Sequence, residues 1–325
     1  MSHIYIYSPS SAVRDKAAFR RGLKRLKALG HEVEVDADAL SSHLRFAGDD
    51  ETRVAAIGRA AASGADVALI ARGGYGLTRI LPALPYKAIT KAIEKGTQFV
   101  GLSDFTALQL ALLAKTGACT WAGPALGEDF GPEDEPDEIM QACFDDLLTG
   151  VAEGSGWTLP AADAKAHAAK PKRHVRGATL WGGNLNVMCS LVGTPYLPAV
   201  KGGVLFLEDV NEHPYRLERQ LTQLLRAGIL DAQKAVLLGG FNRYKLVPGH
   251  DRGYDFKTVL AWLRSQTKTP IYTGLPFGHV PTKVLLPVGR EVELVVEGRD
   301  ALIFWGHDHE HEHAHGDHPA HGHSH

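Results

Sequence analysis

Apolar and polar positions fall into alternating blocks through residues 1–150, and the blocks change period as they go. Residues 4–7 (Ile-Tyr-Ile-Tyr) read as a strand, 12–29 as a helix closed by Gly30, and 32–35 as a second strand. Residues 50–63 are Ala-rich and helical, with Gly64 where a helix commonly ends in left-handed geometry. Residues 67–71 form a continuous apolar strand, followed by the loop Arg72-Gly73-Gly74-Tyr75-Gly76. The strand 99–102 runs into Ser103, where an apolar helix begins, and a short strand follows at 118–121. Strand–helix alternation with unbroken apolar strands predicts an α/β fold with a parallel sheet covered on both faces. Ligands of such sheets gather at the carboxyl ends of the strands, where both the 72–76 loop and Ser103 lie.

The pattern changes between about residues 150 and 176. Glycines, then an Ala/Lys/His stretch with Pro160 and Pro171, show weak periodicity and read as a linker. A second unit then has shorter elements: strands at 204–207, 235–238, 271–273, 284–287 and 292–296, and helices at 215–227 and 256–265. The expected organisation is an α/β domain over 1–150, a linker over 151–176, a second domain over 177–306, and a tail over 307–325. That tail alternates His with Asp, Glu, Ala and Gly, has no packing pattern and is expected to be disordered. Its His-x-His spacing suits adventitious or stored Ni²⁺ or Zn²⁺, which leaves a metal-handling role open.

Composition narrows the function classes. The chain has 325 residues, 44% hydrophobic, with a formal net charge of −2, so it has no field to gather nucleic acid or an anionic membrane. Its three cysteines, Cys119, Cys143 and Cys189, are widely spaced and read as reduced thiols. No run approaches the ~18 apolar residues of a membrane span, and the start enters a strand pattern without a secretory signature. A cytoplasmic enzyme is expected. The glycines of 72–76 lack the spacing of a dinucleotide fingerprint or a P-loop, so no cofactor is expected.

Three further segments carry candidate chemistry. Ser103, at a strand-to-helix turn, presents a hydroxyl beside free backbone N–H groups; Asp104 N–H is one natural oxyanion donor, and Gly73 or Gly74 a second. Glu208 and Asp209 end an apolar strand, and alternation lets only one of them face a site. His279 stands in a loop stiffened by Pro276 and Pro281, with His213, ahead of Pro214, as its rival. Arg72 and Arg216 suit a substrate carboxylate, and Tyr75 and Asn184 suit further substrate contacts. Trp157 or Trp181 would serve a ligand that stacks.

The ordered stretches ARGGYG, GLSDFTAL, GGNL, LFLEDVNEHPYRLERQLTQL and GLPFGHVPTK resemble the LD-carboxypeptidase family of serine peptidases, from about residue 4 to 304. These enzymes trim muropeptides, and a subgroup confers resistance to microcin C. The resemblance implies a flavodoxin-like N-terminal domain joined to a smaller β-rich C-terminal domain, with the active site in the cleft between them, and a homodimer. It also implies Ser103 as nucleophile, Glu208 as orienting carboxylate and His279 as base; the residue reading adds an expected oxyanion hole at Gly74 and Asp104. The implied reaction releases terminal D-alanine from a murein tetrapeptide in cell-wall recycling. The alternative within the same chemistry is hydrolysis of a microcin C-type peptidyl-nucleotide amide. The His-rich tail stands outside this pattern.

Overall fold

The computed structural model describes residues 1–306, so the tail at 307–325, with its metal-binding and disorder expectations, lies outside the described residues. Thirteen strands form two sheets. In the N-terminal half these are β1 (His3–Tyr7), β2 (Glu32–Val35), β3 (Val67–Ile70), β4 (Gln98–Gly101) and β5 (Thr120–Ala122). They are followed by β6 (Gly154–Thr158), β7 (Lys172–Asn184), β8 (Val204–Val210), β9 (Ala235–Asn242), β10 (Ile271–Thr273), β11 (Leu286–Val288), β12 (Glu291–Glu297) and β13 (Asp300–Phe304).

The first sheet runs β2-β1-β3-β4-β5 in parallel, the flavodoxin-like order. β3 is buried at every position, as expected for a strand covered on both faces. Two of its connecting helices start where short acidic side chains cap them. Asp15 Oδ1 accepts from Ala18 N at 2.8 Å, and Asp49 Oδ1 accepts from Thr52 N at 2.8 Å. The first of these caps explains why the expected helix at 12–29 begins only at Lys16: Ser11, just ahead, is engaged in a bridge to Phe46.

The second sheet runs β10-β9-β8-β7-β12-β13-β6. Its strand β7 does two jobs. The first part pairs antiparallel with β12, from Lys172 opposite Glu297 to Thr179 opposite Glu291. The last part pairs in parallel with β8, placing Asn184 beside Glu208. This β-rich half and the flavodoxin-like half give the α/β class implied by the motifs.

Two organisational expectations are corrected. Residues 151–176 are not a linker: they contain β6, a short helix Ala161–Ala166 and the start of β7. β6 pairs with β13, Gly154 opposite Phe304 and Thr158 opposite Asp300, and its small residues give no apolar alternation to read. Nor do 1–150 and 177–306 divide cleanly. β11 returns to the first sheet and pairs antiparallel with β5, with Pro287 opposite Trp121. It sits at the sheet's edge, where a proline costs no ladder hydrogen bond on its outer side. The two halves are therefore stitched together a few residues after His279.

All three cysteines are unpaired, and burial pushes the Cys189 thiol up to about 12. Among the described residues no helix is long and apolar enough to cross a membrane, and no cluster of His, Cys, Asp and Glu could hold a metal ion.

Candidate active site

β4 delivers Ser103 through an extended Leu102 into a tight turn. Ser103 has φ +63°, left-handed geometry that costs a residue with a Cβ about 1–2 kcal/mol. The turn's first hydrogen bond runs from Phe105 N to Leu102 O (3.2 Å), leaving the N–H groups of Ser103 and Asp104 outside its ladder. Gly73 packs directly against the serine: a Cβ there would lie 2.8 Å from Ser103 Cβ and 3.1 Å from its Oγ. Only glycine permits that approach.

Asp104 is buried, and its Oδ2 accepts from Leu77 N at 2.9 Å. Burial raises its pKa, against the pull of the Leu77 and Gly76 N–H groups and the Ser10 hydroxyl. Its carboxyl thus ties the serine turn to the end of the glycine loop. The fully buried Arg53 holds the same loop, donating from Nη1 to Gly76 O at 2.8 Å. Ser11 Oγ accepts from Tyr75 N at 3.0 Å.

On the second sheet, Glu208 is fully buried. Its Oε2 lies 2.8 Å from His279 Nδ1, and its Oε1 accepts from Asn184 Nδ2 at 3.1 Å. With Nδ1–H donating to the carboxylate, Nε2 is the nitrogen left to act as a base. Burial lowers the His279 pKa, but the hydrogen bond and charge of Glu208, joined by Glu128, outweigh it, so the imidazole lies above the ordinary 6.5. The neighbouring Asp209 makes no contact with the histidine: its Oδ2 accepts from Asn186 N (2.9 Å), and its Oδ1 from Val210 N (2.8 Å) and from Asn184 Nδ2 (3.3 Å), the amide it shares with Glu208. Burial and the Glu208 charge push Asp209 up to about 7. Of the two carboxylates, Glu208 is the one turned to the histidine.

Ser103 and His279 line one cleft of about 690 Å³, together with Gly74, Arg72, Arg243 and Lys283. The histidine loop is fastened to the N-terminal half at two points. Lys283 Nζ lies 2.6 Å from Asp129 Oδ1, both nearly buried, and Thr282 Oγ1 donates to Asp137 Oδ2 at 2.6 Å. The segment bearing those acids is held in turn by Arg21 Nε to Gly131 O (2.8 Å) and Gly127 N to Ala71 O (2.9 Å). A further seam joins the halves where Asn184 N donates to Thr106 Oγ1 at 3.0 Å. A Cβ on Gly183, whose φ is +132°, would strike that hydroxyl at 2.5 Å.

The remaining candidates scatter. Arg72 lines the cleft, with Nη1 donating to Ala12 O at 3.1 Å. Tyr75 is half-exposed against Phe46 and is not among the cleft's lining residues. Asn184 is buried and holds Glu208 rather than facing the cleft, because the β7–β8 register sets the two side by side. Arg216 lines an adjoining hollow, which shares Asn211 and Arg243 with the cleft, and pairs with Glu212 at 3.6 Å. His213 caps the helix Pro214–Arg226 and contacts Asp251 at 3.1 Å, so it is no rival to His279. Trp181 is buried, its Nε1 donating to Gln233 Oε1. Neither it nor Trp157 lines the cleft, whose described lining contains no Phe, Tyr or Trp. Residue-by-residue reading missed Lys283, Asp129, Arg243 and Asn211. Lys283 closes the GLPFGHVPTK stretch, the one available sign of it; Arg243 and Asn211 have positive φ, which sequence does not display.

The chain resembles known proteins over most of its length. Residues 4–123 match the LD-carboxypeptidase N-terminal domain and residues 177–294 the LD-carboxypeptidase C-terminal domain. The chain is 34% identical to a putative carboxypeptidase of Streptomyces coelicolor, over 90% of each chain. It is 32% identical to the murein tetrapeptide carboxypeptidase of Pseudomonas aeruginosa, over 70% of this chain and 71% of that one. Among solved structures, the muramoyltetrapeptide carboxypeptidase of Oxalobacter formigenes superposes with a TM-score of 0.83 at 39% identity. That match covers 94% of this chain and 99% of the other.

Proposed function

The chain belongs to the LD-carboxypeptidase family of serine-type peptidases, and from that premise we propose that it releases the terminal D-alanine of a murein tetrapeptide by hydrolysing its L,D bond. The observation that carries this reading is the buried Glu208–His279 pair at 2.8 Å, sharing one cleft with a strained serine. In the proposed reaction Ser103 Oγ attacks the scissile carbonyl while His279 Nε2 takes its proton. Glu208 holds the imidazole in the required tautomer and stabilises the imidazolium that forms. The N–H groups of Gly74 and Asp104 receive the oxyanion, each such donor being worth ~3–4 kcal/mol of barrier. His279 then gives its proton to the leaving amine of D-alanine, and water, activated by the same nitrogen, clears the acyl-enzyme. Arg72 and Arg243, on the cleft wall, suit the terminal carboxylate. Asn184 serves by positioning Glu208.

Under this reading the protein works in the cytoplasm on recycled wall peptides, as a homodimer, which cell fractionation and light scattering test. The peptidyl-nucleotide alternative calls for an aromatic surface beside the reacting bond; the cleft's described lining holds no Phe, Tyr or Trp, and Tyr215 stands in the adjoining hollow that shares Asn211 and Arg243. The deciding experiment incubates the purified protein with a murein tetrapeptide and, separately, an aminoacyl-sulfamoyl adenosine. Tripeptide plus free D-alanine is expected from the first. An intact tetrapeptide together with cleaved adenosine derivative would refute the proposal in favour of the alternative.

A further inference from the structure

Away from the cleft, a hollow of about 320 Å³ is formed between the segment 166–173, the end of helix Phe256–Gln266 with the turn after it, and β10. Its lining carries Lys170, Lys172, Arg173, Arg264 and Lys268, with His167, and no Asp or Glu among the described residues. That is a strong local imbalance in a chain whose net charge is −2. Two of the cations already have carboxylate partners: Lys172 pairs with Glu297, and Arg264 Nη2 lies 2.9 Å from Asp163 Oδ1. Lys170, Lys268 and Arg173 pair with no carboxylate among the described residues. Arg173 Nη2 donates to the Lys234 carbonyl at 2.7 Å, while its Nε is sealed from water with no acceptor.

Like charges gathered round one concavity repel each other, and a bound anion removes that repulsion while accepting from the exposed ammonium groups of Lys170 and Lys268. Ammonium groups suit phosphate oxygens as point charges, and Arg173 adds its positive charge to the wall. Three unmatched cations exceed the charge of a single phosphate monoester, about −1.5 to −2, and fit two linked phosphates better. The floor is firm: the Tyr272 ring of β10 packs tilted against the His167 ring, centroids 4.5 Å apart, and Arg264 Nη2 also donates to Ile271 O at 2.6 Å. We propose that this hollow is a binding site for a diphosphate group, free or esterified. β10 leads into the loop that bears His279, but the hollow shares no lining residue with the cleft.

Calorimetric titration of the full chain tests this, with EDTA present and at about physiological salt, where diffuse attraction between exposed charges is screened beyond ~8 Å. The ligands are sodium pyrophosphate, methyl diphosphate and inorganic phosphate. Saturable one-to-one binding of pyrophosphate is expected, weakened at least tenfold in K170A/K268A, whose altered side chains are exposed and whose fold is checked by circular dichroism. Methyl diphosphate binding as well as pyrophosphate identifies an esterified ligand as the natural class; binding of pyrophosphate alone identifies the free anion. No saturable binding, equal affinity in the double variant, or inorganic phosphate binding as tightly as pyrophosphate would overturn the assignment.

Discussion

On the first-sheet side of the cleft, backbone holds the proposed nucleophile. Ser103 sits at φ +63°, pressed against Gly73, in a turn anchored by N–H groups on the Asp104 carboxyl. On the second-sheet side, side chains hold it: His279 leans on Glu208, Glu208 on Asn184, and the loop on Lys283–Asp129 and Thr282–Asp137. The difference teaches where each side is vulnerable. The serine side fails on added atoms, because its geometry leaves no room. The histidine side fails on lost charge, because buried ionic groups depend on their partners.

Variants can break this contrast in order of size. Ser103→Gly is expected to lower kcat by at least ~10⁴-fold, as removal of a nucleophile does. It should also raise the thermal midpoint slightly, since glycine relieves a left-handed strain of about 1 kcal/mol; a lowered midpoint would mean the turn is not strained. Glu208→Gln is expected to cost about 10³–10⁴-fold in kcat, by loss of the tautomer and of imidazolium stabilisation. Lys283→Met leaves Asp129 buried without its partner, with an expected loss of about 3–5 kcal/mol in denaturant unfolding. Gly73→Ala is expected to keep the fold but lower kcat by about 10²-fold, because the new methyl displaces the serine. An active Gly73→Ala enzyme would show that the serine side has more room than its contacts allow.

The pH dependence sharpens the same contrast. His279 must be neutral to act as a base, and its pKa is raised, so kcat/KM should rise with pH through a midpoint above 6.5. The stability drawn from imidazolium beside Glu208 has the opposite sense. It is fully present below the ordinary value of 6.5 and is lost as pH climbs through the raised one. Glu208→Gln removes the charge that raises the histidine, so its residual activity should show a midpoint moved downward.

Much of this was legible where local pattern carries the physics. The strands at 4–7, 67–71 and 99–102, the strand-to-helix turn at Ser103 and the parallel α/β class follow from periodicity, whereas the flavodoxin-like order came with the family resemblance. The pairing of Ser103, Glu208 and His279 needed the family resemblance, because no local rule links residues so far apart. What escaped is non-local. β6 finds its partner in β13, β11 crosses back to β5, and Asp129 meets Lys283 between halves. Each depends on which distant segment arrives alongside. Asn184 shows the same limit: its amide suits a substrate in sequence, and only the β7–β8 register turns it to Glu208.

The central claim is that Ser103 becomes acylated by the peptide it cleaves. Acid quenching during turnover of a murein tetrapeptide, followed by peptide mapping in the mass spectrometer, measures this directly. The account predicts a tripeptidyl ester on Ser103. An ester on any other side chain, or full turnover by Ser103→Gly, would contradict it.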